Sequence, residues 1–325
     1  MGTSDTALVG NMRRRVLLLS TASLATIPLR ARSEPPPSIP ALSTRLRKLE
    51  LMAPSAALES VPGELRYPAW LSGTWRVTNT NAEPAISLPL GSKFVDPNLI
   101  AEAKKASSRR YLSQYVDGTA AGACGQPVVG LPVRQDRRFN TMQEENAFIK
   151  SGGFVVEQAT YTCDAIHPHG SVLLQILDTD ATAAVRTPDA SSSSSAYEMI
   201  QKTAFRSRSE LDVVWAAWEA AADDASFITS EMTVQREVLP TGEELATSYL
   251  ELLTKFERPP AVEQPATVRA RYRIVQYLSF PDLRSPTRSR MERALEREAA
   301  GRAVAVLDYD LVMERVAQAG TSSHF

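Results

Sequence analysis

Residues Tyr67 to Asn81 read YPAWLSGTWRVTNTN. Two tryptophans bracket a glycine, and a strand-like alternation begins at the second of them. Pro68 to Ser72 predicts a short helical turn, Gly73 a sharp backbone reversal and Trp75 a large ring at the mouth of the first strand. A curled sheet whose end must be plugged has a use for that much aromatic surface in one place.

Outward from this stretch, period-two alternation dominates. In Thr267 to Phe280, Arg269, Arg271, Arg273, Val275 and Tyr277 point one way, while Val268, Ala270, Tyr272, Ile274 and Leu278 point the other. That is the pattern of a half-buried antiparallel strand. In Phe227 to Val238, Met232, Val234 and Val238 oppose Glu231, Thr233, Gln235 and Glu237. In Leu245 to Glu257, Leu250, Leu252 and Phe256 oppose Glu251, Lys255 and Glu257, and LPTGE (239–243) supplies a turn between these two segments. A glutamate-rich face beside an arginine-rich face reads as a solvated, charge-paired outer surface; the sharper alternative is a polar barrel interior that binds an anion. Further strands are expected at Val128 to Phe139, Phe154 to Tyr161, Ser171 to Leu177 and Tyr197 to Arg206. Glu210 to Asp224 is compatible with helix or strand. The last strand, Arg302 to Val316, carries Ala303, Ala305, Leu307, Tyr309, Leu311 and Met313 on one apolar face. A short helix, Pro286 to Ala300, precedes it and stops at Gly301. Many strands and no βαβ rhythm predict an all-β antiparallel barrel or sandwich.

The chain has 325 residues and a formal charge of -1, from 36 Lys+Arg against 37 Asp+Glu. This lacks the basic footprint of a nucleic-acid binder. Met12 to Arg32 reads MRRRVLLLSTASLATIPLRAR. A basic start followed by an apolar run too short to span a bilayer reads as a targeting segment, with a twin-arginine export signal or an organelle presequence as alternatives. The domain expectation is therefore a signal segment at 1–34, a Pro-rich linker and short helix at 35–66, the β-domain at 67–318 and a tail at 319–325. No transmembrane segment is expected in the mature chain. Thr44 to Leu58 is the candidate helix in the linker, and the serine run at 191–195 marks a loop.

Gly73-Thr74-Trp75 resembles the G-x-W that opens the first strand of lipocalins and their calycin relatives. In that pattern an arginine packs over the tryptophan. Arg315 is the first candidate here, with Arg302 second and Trp70 beside it at the closed end. YPAWLSGTWRV, VGLPVRQDRRFN (129–140) and GRAVAVLDYDLVMERV (301–316) also resemble an uncharacterised family of cyanobacteria and plastids, a domain of unknown function with a lipocalin-like (calycin-like) barrel. The resemblance covers roughly 67–316 and implies the chloroplast thylakoid lumen; an exported or periplasmic protein is the alternative.

Cys163-Asp-Ala-Ile-His-Pro-His169 holds the only metal-ligand residue types in a cluster, with Cys163, His167 and His169 as weak zinc or copper candidates. Its other reading is a hairpin tip. Cys124 and Cys163 form the candidate disulfide. No hydrolase, metalloprotease, Walker or dinucleotide motif is present, and no cofactor is implied. The functional expectation is a non-enzymatic barrel that binds a small apolar ligand such as a lipid, carotenoid or tetrapyrrole. Phe256, Tyr272, Ile274, Tyr309 and Leu311 are its pocket candidates. The alternative is a ligand-free accessory protein docked on a photosynthetic membrane complex.

Overall fold

The computed structural model describes residues 41–54, 60–61, 63–81, 83–95, 100–101, 103–104, 110–119, 124–125, 128–149, 153–178, 205–221, 224–258, 267–280 and 289–316. The expected targeting segment, the serine run, the expected tail and nearly all of the expected strand at 197–206 lie outside these residues.

Among the described residues, eleven strands make one antiparallel sheet. They are β1 (Gly73–Asn79), β2 (Ala85–Ser87), β3 (Arg110–Asp117), β4 (Val133–Gln135), β5 (Phe154–Thr162), β6 (Ser171–Asp178), β7 (Phe205–Ala220), β8 (Ser226–Val238), β9 (Glu244–Glu257), β10 (Thr267–Tyr277) and β11 (Ala305–Arg315). Their order is β4-β3-β1-β11-β10-β9-β8-β7-β6-β5, with β2 also pairing β11. The ambiguous stretch from Glu210 is strand: β7 pairs with β8 along most of its length, with one bulge between Val213 and Trp215.

The sheet curls without closing on itself. Among the described residues, no pairing joins its two ends, β4 and β5. A helix, α2 (Arg137–Ile149), packs against both β3 and β5 and fills the gap. The expectation of a closed barrel is thus met only in part, and the fold is a half-barrel completed by a helix. The expected strand at Val128 to Phe139 is corrected too, because only Val133–Gln135 is strand. Asp136 ends it by capping α2: its Oδ1 accepts from the Phe139 N–H at 3.0 Å and its carbonyl accepts from Asn140 at 2.8 Å. Such a cap satisfies amides that an uncapped helix start would leave open.

Both faces of the sheet are covered. Inside, Trp75, Val77, Tyr115, Val213, Phe227, Phe256, Val268 and Met313 form one core. Outside, Leu42, Leu46 and Leu51 pack on Trp215, Met232, Val234, Leu253, Val275 and Val306. The covering piece begins with α1 (Leu42–Arg45), far shorter than a helix over Thr44 to Leu58. It is held by charge as well as by apolar contact. Arg273 donates to both Asp308 oxygens at 2.7 and 2.8 Å and to the carbonyls of Arg45 and Lys48 at 3.0 and 2.7 Å. A guanidinium suits the unpaired carbonyls at a helix C-terminus. The arginine face of β10 is therefore solvated only at Arg269 and Arg271; Arg273 is buried.

The helix before the last strand is α3 (Arg290–Ala299). Ser289 and Glu292 form a reciprocal capping box, and Ala300 and Gly301 adopt positive φ at its end. Met291 is exposed on it, while Leu295 and Ala299 face the core.

Candidate functional site

One end of the half-barrel is plugged by the opening stretch. A 3-10 turn, Ala69–Leu71, leads into β1. Trp75 is fully buried, and its Nε1 donates to the Leu71 carbonyl at 2.7 Å. Trp75 and Arg315 are cross-strand partners, and the Arg315 guanidinium lies 4.5 Å from the indole centroid. It also donates to the carbonyls of Ser72 (2.7 Å) and Trp70 (3.2 Å). Stacking and hydrogen bonding thus fasten the turn to the last strand. Arg302 does a different job, donating to the carbonyls of Ala299 and Glu298 at the end of α3.

Gly73 has φ +116°, and a Cβ there would sit 2.9 Å from the Arg315 Nη1. Gly73→Ala is expected to cost about 1–3 kcal/mol, the range for a strained backbone. Gly91→Ala is the control, since Gly91 has φ +92° with nothing within 4 Å. Urea unfolding of both variants separates the contact from the dihedral. Equal losses would mean that Arg315 yields at no cost.

Loops around this end are tied together. Cys124 and Cys163 are disulfide-bonded with Cα atoms 5.9 Å apart. Arg66 donates to the carbonyls of Gly118 (2.6 Å) and Cys124 (2.9 Å), while buried Glu64 accepts from the Cys124 N–H at 3.0 Å and from the Tyr161 hydroxyl. The other metal candidates do not converge with Cys163. The His167 Nδ1 lies 3.2 Å from Asp164, and the buried His169 sits between the Gly63 carbonyl (2.8 Å) and the Ser60 hydroxyl (3.2 Å). Among the described residues, no three His, Cys, Asp or Glu groups could hold a metal ion.

Above the plug, the half-barrel holds a cavity of about 140 Å³ that is partly open to solvent. Phe256, Tyr272 and Leu311 line it. Ile274 and Tyr309 do not; they pack with Phe94, Val95 and Leu307 in a separate cluster. Sequence reasoning missed the polar wall. Thr229, Glu231 and Thr233 of β8 face inward, beside Leu252 and Thr254 of β9. This corrects the reading as outer surface for the β8 face that carries Glu231, whereas Glu251 of β9 does lie on the outer side. Register decides the matter: Glu231 stands opposite Leu252, an inward residue, whereas Met232 stands opposite Glu251 on the outside.

Glu231 is paired with Arg137, the first residue of α2. The two guanidinium Nη groups each reach one carboxylate oxygen, Nη1 at 3.3 Å and Nη2 closer. The pair fastens the gap-filling helix to the far wall of the sheet. The phenols of Tyr67, Tyr111 and Tyr272 also line the cavity, and burial pushes each well above its ordinary pKa. Tyr115 is pushed up to about 12, again mainly by burial. All four therefore stay protonated near neutrality and can donate. The Thr233 hydroxyl is wholly buried and has no hydrogen-bond partner.

Fold and site together define an antiparallel half-barrel, its gap filled by a helix, around an amphipathic cavity. The profile of a family described as "Domain of unknown function (DUF6816)" matches residues 59–165, which hold the plug, β1 to β5 and α2. No curated protein and no solved structure matches the chain.

Proposed function

We propose that this chain is a binding protein whose half-barrel holds one small amphipathic molecule, and that it acts without catalysing a reaction. The observation that carries this reading is the cavity of about 140 Å³ inside the curled sheet, lined by Phe256, Leu252 and Leu311 together with the phenols of Tyr67, Tyr111 and Tyr272. Cavity size favours a molecule near one ring over an enclosed carotenoid, tetrapyrrole or acyl chain: an apolar cavity of ~150 Å³ takes benzene. The basic-apolar segment at Met12 to Arg32 and the Cys124–Cys163 bond favour an oxidising destination, for which the thylakoid lumen is our reading.

Phenol tests the binding claim, because it carries a ring and one hydroxyl. In methyl-labelled protein, phenol is expected to move the Leu252, Leu311 and Met313 signals saturably at millimolar concentration. Shifts that never saturate, or that spread evenly over the surface, would count against an internal site. They would return the weight to a packed accessory protein of a membrane complex.

A further inference from the structure

We infer that the outer face of the sheet carries a second site, a groove that binds the phosphate group of an organic phosphomonoester through Arg269 and Arg271. It lies across the sheet from the cavity, because these arginines alternate along β10 with Tyr272, which faces inward. The inference goes beyond the binding reading above and does not depend on it.

The groove has a volume of about 710 Å³ and opens between the covering segment and the outer face of β8 to β11. Arg47 of the covering segment, Lys255 and Glu257 of β9, Arg269 and Arg271 of β10 and Asp310 of β11 are its ionic groups. Four are cations and two are carboxylates, and both carboxylates are already engaged. Glu257 is the register partner of Arg269, yet its Oε1 accepts from the Lys255 Nζ at 3.0 Å. Asp310 is the register partner of Arg271, and its Oδ2 accepts from the Asn81 side-chain amide at 3.0 Å. Arg271 reaches instead towards the Asp308 Oδ1 at 3.5 Å, too long for a good hydrogen bond, and both Asp308 oxygens accept from Arg273. Arg269 has no polar partner among the described residues. Arg47 donates its Nε to the Ser43 carbonyl at 3.2 Å and leaves its Nη groups open.

The cations are also set against one another. Lys255 and Arg271 stand directly opposite on neighbouring strands, and like charges in that position destabilise a ladder. Neither exposed arginine is needed to fasten the covering segment, which is held by Arg45 and Arg273. An anion seated over Arg269, Arg271 and Lys255 turns this repulsion into attraction.

The spacing selects the kind of anion. Arg269 and Arg271 lie on one face, two residues apart, about 7 Å along the strand. One guanidinium fork satisfies a carboxylate; two forks side by side, with an ammonium next to them, suit a doubly charged group with three free oxygens. The volume is within the range of small-molecule sites, so room remains beside Thr80 and Val312 for the organic part of the ester. A free phosphomonoester and a phosphatidate headgroup share this chemistry.

Glycerol 3-phosphate and phosphatidate vesicles present the group from these two sources, with glycerol and phosphatidylcholine vesicles as their controls. In the methyl-labelled full chain, glycerol 3-phosphate is expected to move the Ile228 and Val312 signals saturably and to leave Leu252 and Met313, which line the cavity, in place. Arg269→Gln/Arg271→Gln is expected to weaken binding at least about tenfold, through lost charge-assisted hydrogen bonds. Both side chains are exposed, so circular dichroism is expected to show an unchanged fold. Arg293→Gln removes an exposed cation on α3, outside the groove, and is expected to change nothing. If the vesicles alone bind, with the same dependence on Arg269 and Arg271, the ligand is the lipid headgroup. No binding from either source, binding matched by the control ligands, or binding that survives the double variant overturns the site and leaves the cavity reading standing. Failure of phenol to bind overturns the cavity reading and leaves this site standing.

Discussion

Glu251→Ala is expected to lower the free energy of unfolding by about 3–5 kcal/mol, the cost of stranding one member of a buried ion pair. Glu251 is 0% exposed on the outer face of β9. Its carboxylate accepts from the Arg45 Nε at 2.8 Å and Nη2, from the Tyr277 hydroxyl at 2.7 Å and from Ser230 at 2.9 Å. Burial works against the charge on Arg45, and the adjoining carboxylate outweighs it, so the guanidinium is held above its ordinary pKa. Removing the carboxylate leaves that cation and two hydroxyls without their shared partner beneath the covering segment. Arg45→Met combined with Glu251→Leu is expected to recover most of the loss, because apolar side chains of similar size need no partner there. Urea titration followed by Trp215 fluorescence measures both. A single-variant loss under about 1 kcal/mol would mean that water reaches this network.

Arg137→Met is expected to cost about 2–4 kcal/mol, somewhat less than a fully dry site because Glu231 borders a cavity that water can enter. The reason is geometric. Arg137 starts the helix that fills the gap between β3 and β5, and Glu231 lies on the opposite wall. Losing the pair loosens the seal and leaves a carboxylate among the phenols of Tyr67 and Tyr115. The double variant Arg137→Met/Glu231→Gln is expected to be more stable than Arg137→Met alone. Thermal melts of the two decide this. Simple addition of the two losses would show that the residues act independently and that α2 is held by packing alone.

Much of the sheet was legible because antiparallel strands repeat every two residues. β5, β6, β8, β9, β10 and β11 lie where alternation or an apolar run places them. The three-residue β2 carries too little pattern to read. Alternation divides a strand into two faces but does not say which one turns inward. That is why Glu231 and Thr233 were read as surface, although the apolar Leu252 and Phe256 of the neighbouring strand marked the inner side. Nor does it give height along the barrel. Tyr272 and Ile274 share a face, as do Tyr309 and Leu311, yet only Tyr272 and Leu311 reach the cavity. α2 was hidden because VRQDRRFN continues a strand without a glycine or proline break. Its readable signal was Asp136 followed by Phe139, Met142 and Ile149 at helical spacing. The burial of Arg273 could not be read at all from β10, since it depends on a segment more than 220 positions earlier in the chain.

The pairing of β1 with β11 sets a timetable for the molecule. Trp75 and Arg315 are neighbours in space with 240 positions between them. The plug can form early, but its clamp is synthesised about 240 residues later. At ~5–20 residues per second, the first strand waits on the order of ten seconds or more for its partner. Closing so long a loop also makes folding slow once both strands have been made. The native pairing of β1 therefore waits until Arg315 has been made, and until then its apolar first strand is available to whatever machinery handles unfolded polypeptides.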